Sequence, residues 1–317
     1  MNDPEDINGL VFSEQSPAGH RSGFVAVVGK PNVGKSTLMN ALLGEKLAIV
    51  SPKPQTTRDK QLGILTLPDA QIVYVDTPGI HQARSRLGEY MVETASQAIP
   101  DADVILFIVD VSEDPDGADR HIAELVQNTT DIPVILALNK IDLLEEQEPL
   151  LEARSAAFTA LVPSAEPVFI SATQATNVDA LQALIVAHLP EGPRYYPADQ
   201  LTETQLRENA AEVIREQILL QYEQEVPHSV AVVVDEFKER SEDLTYIRAV
   251  IYVEKDSQKA ILIGKKGTAL KTLGESARRE LRELLGTRIY LDLWVKVLKN
   301  WRRDAGAMRR LGFGSDQ

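Results

Sequence analysis

The octapeptide Gly29-Lys30-Pro31-Asn32-Val33-Gly34-Lys35-Ser36 satisfies the spacing G-x-x-x-x-G-K-[ST] without a mismatch. Two glycines so placed let a loop curl until its N–H groups point inward at phosphate oxygens. A helix that begins at the second glycine adds its positive end to the same anion. Lys35 is then expected to reach the β- and γ-phosphates, and Ser36, followed by Thr37, to offer a hydroxyl to Mg2+. Forty residues on, Asp76-Thr77-Pro78-Gly79 supplies a carboxylate to hold that Mg2+ through water and, at Gly79, an N–H for the γ-phosphate. Asn139-Lys140-Ile141-Asp142 supplies a second carboxylate. A carboxylate accepts two N–H bonds from guanine, whereas adenine offers no such pair, so Asp142 selects GTP over ATP. Ser171-Ala172-Thr173 is the candidate for a backbone N–H to the guanine oxygen.

Each of these clusters needs the end of a buried strand to stand on, and the apolar pattern supplies one for each. Residues 24–29, 71–76, 103–111, 133–140 and 167–172 are almost continuously apolar, as strands buried on both faces of a parallel sheet are. Helix-like stretches at 35–43, 87–99, 117–127 and 178–189 alternate with them. The alternation predicts a three-layer α/β domain over 23–189, with a mostly parallel six-stranded sheet. A hairpin about Pro68-Asp69 adds an antiparallel edge strand.

The pattern changes after LPEGPRYYPAD, which carries three prolines and a glycine and reads as a linker over 190–199. Residues 200–312 then read as an α+β domain: a helix about 203–221, strands at 230–237 and 244–254, helices around 259–285, a strand at 288–297 and a short final helix. Residues 1–22 read as a disordered acidic extension and 313–317 as a tail. Inside the second domain, Gly264-Lys265-Lys266-Gly267 lies between two helices. A G-x-x-G loop allows close approach of a nucleic-acid backbone, and its two lysines supply phosphate charge. Lys271, Arg278 and Arg279 are expected to form a supporting basic face, extended by Arg302-Arg303 and Arg309-Arg310. Trp294 and Trp301 are read as packing residues.

A net charge of −14 argues on its own against a nucleic-acid binder, but its distribution is uneven. Residues 240–317 carry 17 Lys and Arg against 10 Asp and Glu, a balance of +7, which leaves −21 for residues 1–239. Two halves of opposite charge suit two different partners. The chain has no cysteine, which excludes a disulfide framework and thiolate metal sites. No apolar run approaches the roughly 18 residues that span a bilayer, and residues 1–20 lack the cationic-then-apolar order of a secretion signal. The cytoplasm is the expected compartment.

The run GKPNVGKSTLMNALLGEKLAIVSPKPQTTRDKQLGIL, taken with DTPG, NKID and SAT, resembles the TrmE–Era–EngA branch of GTPases, and within it the Era family. A chain of 317 residues has no room for the second GTPase domain of the EngA type or the long N-terminal domain of the TrmE type. The resemblance implies that Thr57, or alternatively Thr56, ligates Mg2+ in the GTP state. It also implies that Asn32 holds a K+ ion against the phosphates, unless it merely caps the loop. The residue after Gly79 is Ile80, where Ras-type enzymes place the water-orienting Gln. Slow intrinsic hydrolysis is therefore expected, with Asn32, Lys35 and Thr57 as the catalytic set. The second domain resembles a type II KH domain, which implies single-stranded RNA, here the 3′ end of 16S rRNA in the 30S subunit. The protein is expected to be a monomer, and the resemblance leaves open a peripheral association with the inner face of the cell membrane. Two features depart from the family: Ala175, where a glycine is more usual, and the extension over 1–22. The competing function is that of an RNA-binding module whose nucleotide domain is only structural.

Overall fold

A computed structural model describes residues 17, 19–44, 57–80, 85–128, 131–197, 206–241 and 243–313. The first domain runs β1 (Arg21–Val28), α1 (Lys35–Leu43), β2 (Gln61–Thr66), β3 (Ala70–Asp76), α2 (Arg86–Gln97), β4 (Val104–Asp110), α3 (Gly117–Gln127), β5 (Val134–Asn139), α4 (Glu148–Leu161), β6 (Glu166–Phe169) and α5 (Val178–His188). Its sheet has the order β2-β3-β1-β4-β5-β6. Only β2 is antiparallel, paired to β3 through the hairpin at Pro68-Asp69.

Every residue of β3, β4 and β5 is buried, because side chains of period two face two helical layers. Val25, Val27, Leu106 and Ile108 pack with Leu38, Met39 and Leu42 of α1 and with Leu181 and Ile185 of α5. Ala26, Val28, Phe107 and Val109 pack with Ala95 of α2, Ile122 and Val126 of α3, and Phe158 of α4. The chain turns in opposite directions from central β1, to β3 on one side and β4 on the other. Open α/β sheets bind ligands at the carboxyl ends of strands at such a switch point.

The second domain runs α6 (Leu206–Gln221), β7 (Ala231–Ser241), β8 (Leu244–Val253), α7 (Asp256–Ile263), α8 (Thr268–Leu285), β9 (Arg288–Val297) and α9 (Ala305–Arg310). This is the α–β–β–α–α–β order, with β7 antiparallel and β9 parallel to central β8. Ile214 and Ile218 of α6, Leu262 of α7 and Leu273, Ala277 and Leu281 of α8 cover one face of the sheet.

Four expectations differ from what the structure shows. The extension over 1–22 lies outside the described residues up to 16, but Arg21 and Ser22 already belong to β1. Ser22 is fixed by Pro190 and Pro193, whose carbonyls accept its N–H (3.0 Å) and its hydroxyl (2.6 Å). The same bonds lay the first part of the 190–199 linker against the domain, where Gln71 Oε1 also accepts the N–H groups of Tyr195 and Tyr196. The strand expected over 167–172 shrinks to the four residues of β6, largely exposed because it closes the sheet edge. Phe313, read as the start of a tail, stacks on Trp301 at 5.6 Å between ring centroids.

Candidate functional site

The two glycines of the first loop serve different ends. Gly34, the N-cap of α1, has φ 105°, a left-handed conformation that L side chains avoid. Gly29 is needed for closeness: a Cβ there would meet Ile108 O at 2.5 Å. Within the loop Lys35 is buried, and its ammonium donates to the carbonyls of Gly29 (3.1 Å) and Lys30 (3.0 Å). Burial lowers its pKa to about 8, and the charge of Asp76 opposes that fall. A buried ammonium with two carbonyl partners among the described residues is a strong attractor for phosphate.

Lys30 does not face that loop's interior. Its ammonium lies 3.0 Å from Asp119, 3.2 Å from Asp116 and 3.5 Å from Glu113. Burial alone would lower its pKa, but the two aspartates outweigh it and raise it. Any part of Lys30 in nucleotide binding is thus left to its backbone. Pro31 presses on Gly79, where a Cβ would come within 2.7 Å of Pro31 N. Val33 is buried in the core, Thr37 is half-buried beside Ser36, and Asn32 is exposed at φ 66°.

The three expected metal ligands converge. Ser36 Oγ lies 3.1 Å from Thr57 Oγ1 and donates to Asp76 Oδ2 at 3.1 Å, and Thr57 Oγ1 lies 3.4 Å from the same carboxylate oxygen. The other oxygen of Asp76, Oδ1, is buried without a hydrogen-bond partner among the described residues. Burial raises the Asp76 pKa to about 6, against the pull of Lys35, Ser36 and Thr57. A buried carboxylate with an unpartnered oxygen beside two hydroxyls fits a hard cation and its water shell. Thr56 lies outside the described residues. Ile80 points into the core with no exposed surface, its N–H bonded to Gly29 O at 3.2 Å, so its side chain has no route to a phosphate.

At the base end, Asn139 acts as a brace. It donates to Val33 O at 2.7 Å and accepts the Ala172 N–H at 3.0 Å. Of the backbone N–H groups of Ser171-Ala172-Thr173, the candidates for guanine, that of Ala172 is therefore engaged by Asn139 and that of Ser171 by Thr176 O at 3.2 Å. Ser171 Oγ lies 3.1 Å from Thr173 Oγ1 and accepts the Gln174 N–H at 3.2 Å, tying the loop to itself. Lys140 reaches back to Asp110, Nζ to Oδ2 at 2.5 Å. Asp142 Oδ1 is buried with no hydrogen-bond partner among the described residues, the state of a carboxylate shaped to receive two donors. Ala175 adopts φ 55°, a left-handed conformation that costs a residue with a Cβ about 1–2 kcal/mol. Ala175→Gly is expected to raise unfolding free energy by up to about 1 kcal/mol, the entropy of the freer unfolded chain taking back the rest. Urea denaturation measures it.

In the second domain the G-K-K-G loop bridges α7 and α8. Gly264 (φ 71°) turns tightly enough that a Cβ would meet Ala269 Cβ at 2.6 Å. Lys265 and Lys266 are exposed, Lys266 at φ 54°, and Gly267 caps α8. Lys271, Arg278 and Arg279 are exposed along α8, Lys271 loosely opposite Glu275 at 3.9 Å. Arg302 does not extend this face: it is held by Glu254 Oε2 and donates to His228 O at 3.2 Å. Arg303, Arg309 and Arg310 are exposed at the chain's end. Trp301 is fully buried, as a packing residue should be, whereas Trp294 is 55 % exposed on the open face of β9.

Two further features escaped the sequence reading. Arg58 reaches out of the nucleotide domain to the carbonyls of Pro227, His228 and Val230. Leu87 and Met91 of α2, the helix that follows Gly79, share a buried cluster with Ala231, Trp301, Ala307 and Met308. The only sequence signal was the buried type of Trp301; nothing local announces a contact across 170 residues.

The sequence profile of the 50S ribosome-binding GTPases matches residues 24–140, and that of the KH domain matches residues 225–302. GTPase Era of Heliobacterium modesticaldum is 46% identical over 293 residues, which is 92% of this chain and 97% of that protein. The crystal structure of Era with MgGDPNP and nucleotides 1506–1542 of 16S ribosomal RNA superposes with a TM-score of 0.89 at 41% identity, covering 93% of this chain and all of that one. Aquifex aeolicus Era, as a variant bound to GDP and AlF4−, gives a TM-score of 0.87 at 41% identity over the same shares. Matched by GTPase Era over nine-tenths of its length, with a GTPase profile followed by a KH profile, the chain is a member of the Era family of KH-domain GTPases.

Proposed function

We propose that this protein binds GTP with Mg2+, hydrolyses it to GDP, and uses the nucleotide state to control RNA binding by its KH domain during assembly of the 30S subunit. The observation that carries the reading is the meeting of Ser36, Thr57 and Asp76, with Asp76 Oδ1 unpartnered beside them. When bound, Mg2+ would neutralise charge on the β- and γ-phosphates. Ser36 and Thr57 would hold it directly and Asp76 through water. Lys35 would exchange its two carbonyl bonds for phosphate oxygens, Gly79 would donate to the γ-phosphate, and Asp142 would read guanine.

For the RNA, Gly264–Gly267 would clamp the backbone and Lys265 and Lys266 contact phosphates, with Lys271, Arg278 and Arg279 alongside. The solved Era complex holds nucleotides 1506–1542 of 16S rRNA, so the same 3′ end is the RNA proposed for this chain, with the 30S particle around it. That role belongs in the cytoplasm. No helix among the described residues is long and apolar enough to cross a membrane, so an association with the membrane's inner face would be peripheral. The functional units are the nucleotide domain, which begins with β1 at Arg21, and the KH domain with its C-terminal segment through Phe313, acting within one monomer. The test is RNA affinity with a GTP analogue, with GDP and without nucleotide. Differing values support the switch, and identical values favour a module whose nucleotide domain is structural.

Slow chemistry needs a source of positive charge, because Ile80 cannot orient water. Asn32 is the proposed K+ ligand. It is exposed in the loop, shortly before α1 begins at Lys35. A cation against the phosphates would act as a preorganised charge. Hydrolysis is expected to run about tenfold faster or more in KCl than in NaCl, and Asn32→Ala is expected to remove the difference. Equal rates in the two salts would exclude K+.

A further inference from the structure

Arg58 carries a cation into the seam between the domains. Its guanidinium donates to Val230 O at 2.5 Å and to Pro227 O and His228 O at 3.4 Å, and lies 5.9 Å from the Trp301 ring centroid. It is 3 % exposed, and its Nε has no hydrogen-bond partner among the described residues. Arg215 and Arg302 stand near enough to repel it, and Glu212 to attract it. An apolar residue of similar volume would fasten two domains without burying a charge. A guanidinium here needs a further reason.

Its neighbour in the chain supplies one. Thr57 Oγ1 sits 3.1 Å from Ser36 Oγ and 3.4 Å from Asp76 Oδ2. A single peptide unit therefore joins the metal-facing hydroxyl to the KH turn over 226–230. That turn is itself braced. The N–H and hydroxyl of Ser229 both donate to Val226 O (3.1 and 3.0 Å). Trp301 Nε1 donates to Ser229 O at 2.9 Å, and Arg302 donates to His228 O at 3.2 Å while gripping Glu254. Beyond the turn, β7 pairs with β8 along its length, and β8 leads into α7 and the G-K-K-G loop.

We propose that Arg58 is a positioning residue for GTP hydrolysis: the carbonyls of the KH turn hold its guanidinium, and so hold the Thr57 hydroxyl where the metal needs it. The KH domain thereby completes the hydrolytic site. The inference rests on the function proposed above, in which Thr57 ligates Mg2+ in the GTP state. Arg58 itself touches no reacting atom. GDP lacks the γ-phosphate that engages this segment, so its binding is independent of Arg58.

The test uses the full chain with Arg58→Met, Arg58→Lys and Arg302→Met, measuring GTP turnover with Mg2+ and affinity for a fluorescent GDP analogue. Both Arg58 variants are expected to lower kcat about tenfold or more while KM moves less than about twofold. GDP affinity stays at the wild-type value. Lys keeps the charge, but its compact ammonium lacks the planar fork that spans Pro227, His228 and Val230 together, so it does not rescue. Arg302→Met loosens the turn from outside the nucleotide domain and is expected to lower kcat about threefold or more, again with GDP affinity intact. Wild-type turnover by Arg58→Lys or by Arg302→Met overturns the proposal, and so does a loss of GDP affinity in step with kcat. If Arg58→Met does not fold, the other two variants decide. A wild-type protein that does not hydrolyse GTP would instead overturn the function on which the inference rests.

Discussion

Asp142→Asn is expected to weaken GTP binding by about 10²- to 10⁴-fold and to create affinity for xanthosine triphosphate. Asp142 sits in the single 3-10 turn that follows β5, over Ile141–Leu144. The turn is entered through Lys140 in the left-handed region, with φ 70°. It is pinned by the Lys140–Asp110 ion pair at 2.5 Å and by the Ile141 N–H on Ile170 O at 3.3 Å. The carboxylate thus has little freedom to turn away, and its Oδ1 is buried without a partner. Guanine presents two donors to it, N1–H and the exocyclic amine. An amide presents one acceptor and one donor, so the amine would face an N–H. Losing a bond to a charged acceptor and leaving buried donors opposed costs about 3–5 kcal/mol together, which is the expected loss in affinity. Xanthine carries a carbonyl where guanine carries the amine, and the amide donor then finds an acceptor. Competition of guanine and xanthine nucleotides against a fluorescent analogue measures both effects. Unchanged preference for GTP would remove Asp142 from the site.

The same carboxylate shows how far residue types and spacing reach. Asp142, Asp76, Lys35 and Ser36 were recognisable because their chemistry is local to a strand end, and buried strands announce themselves by unbroken apolar runs. Lys30 could not be read that way. It occupies a variable position of the loop motif, and what fixes it is the capping box of α3, where Asp119 turns back to Asp116. The fold was least legible where the amphipathic signal thins. Helix α4 was missed because it buries only Ser155 and Phe158, too little to print a face on the sequence. Trp294 and Trp301 look alike in the sequence yet end at opposite extremes of exposure. The pleat turns Trp294 to the open face with Tyr290 and Asp292, while the 3-10 turn after β9 swings Trp301 beneath Arg58. Contacts between domains were the least legible of all, since no periodicity within one domain reports what packs against it from another.

Asp76→Asn is expected to make the nucleotide-free protein more stable than wild type at pH 7, by up to about 3 kcal/mol, while abolishing tight binding of Mg2+ and GTP. Burial raises the Asp76 pKa from 3.8 to about 6. Since the folded state binds this proton more tightly than the unfolded chain, the group's stabilising contribution is complete below the unfolded value. It is lost as pH rises through about 6. The rise from 3.8 to about 6 corresponds to about 3 kcal/mol. Roughly 1 kcal/mol of it falls between pH 5 and pH 7, where both proteins are studied most easily. The gain is an upper bound, because Asn also removes the attraction that helps keep Lys35 charged at its depressed pKa of about 8. Wild type therefore holds two buried charges, Lys35 and Asp76, that its own fold incompletely satisfies. The polyphosphate and Mg2+ would satisfy them. With Mg2+ and GTP analogue present, wild type is accordingly expected to regain and exceed the variant's stability, as a ligand bound only by the native state requires. Urea titrations of both proteins at pH 5 and pH 7, in EDTA and then with Mg2+ and nucleotide, separate these terms. Parallel pH profiles in EDTA would show that Asp76 is not strained, and the site would then lack the unsatisfied carboxylate on which its reading as a metal cradle depends.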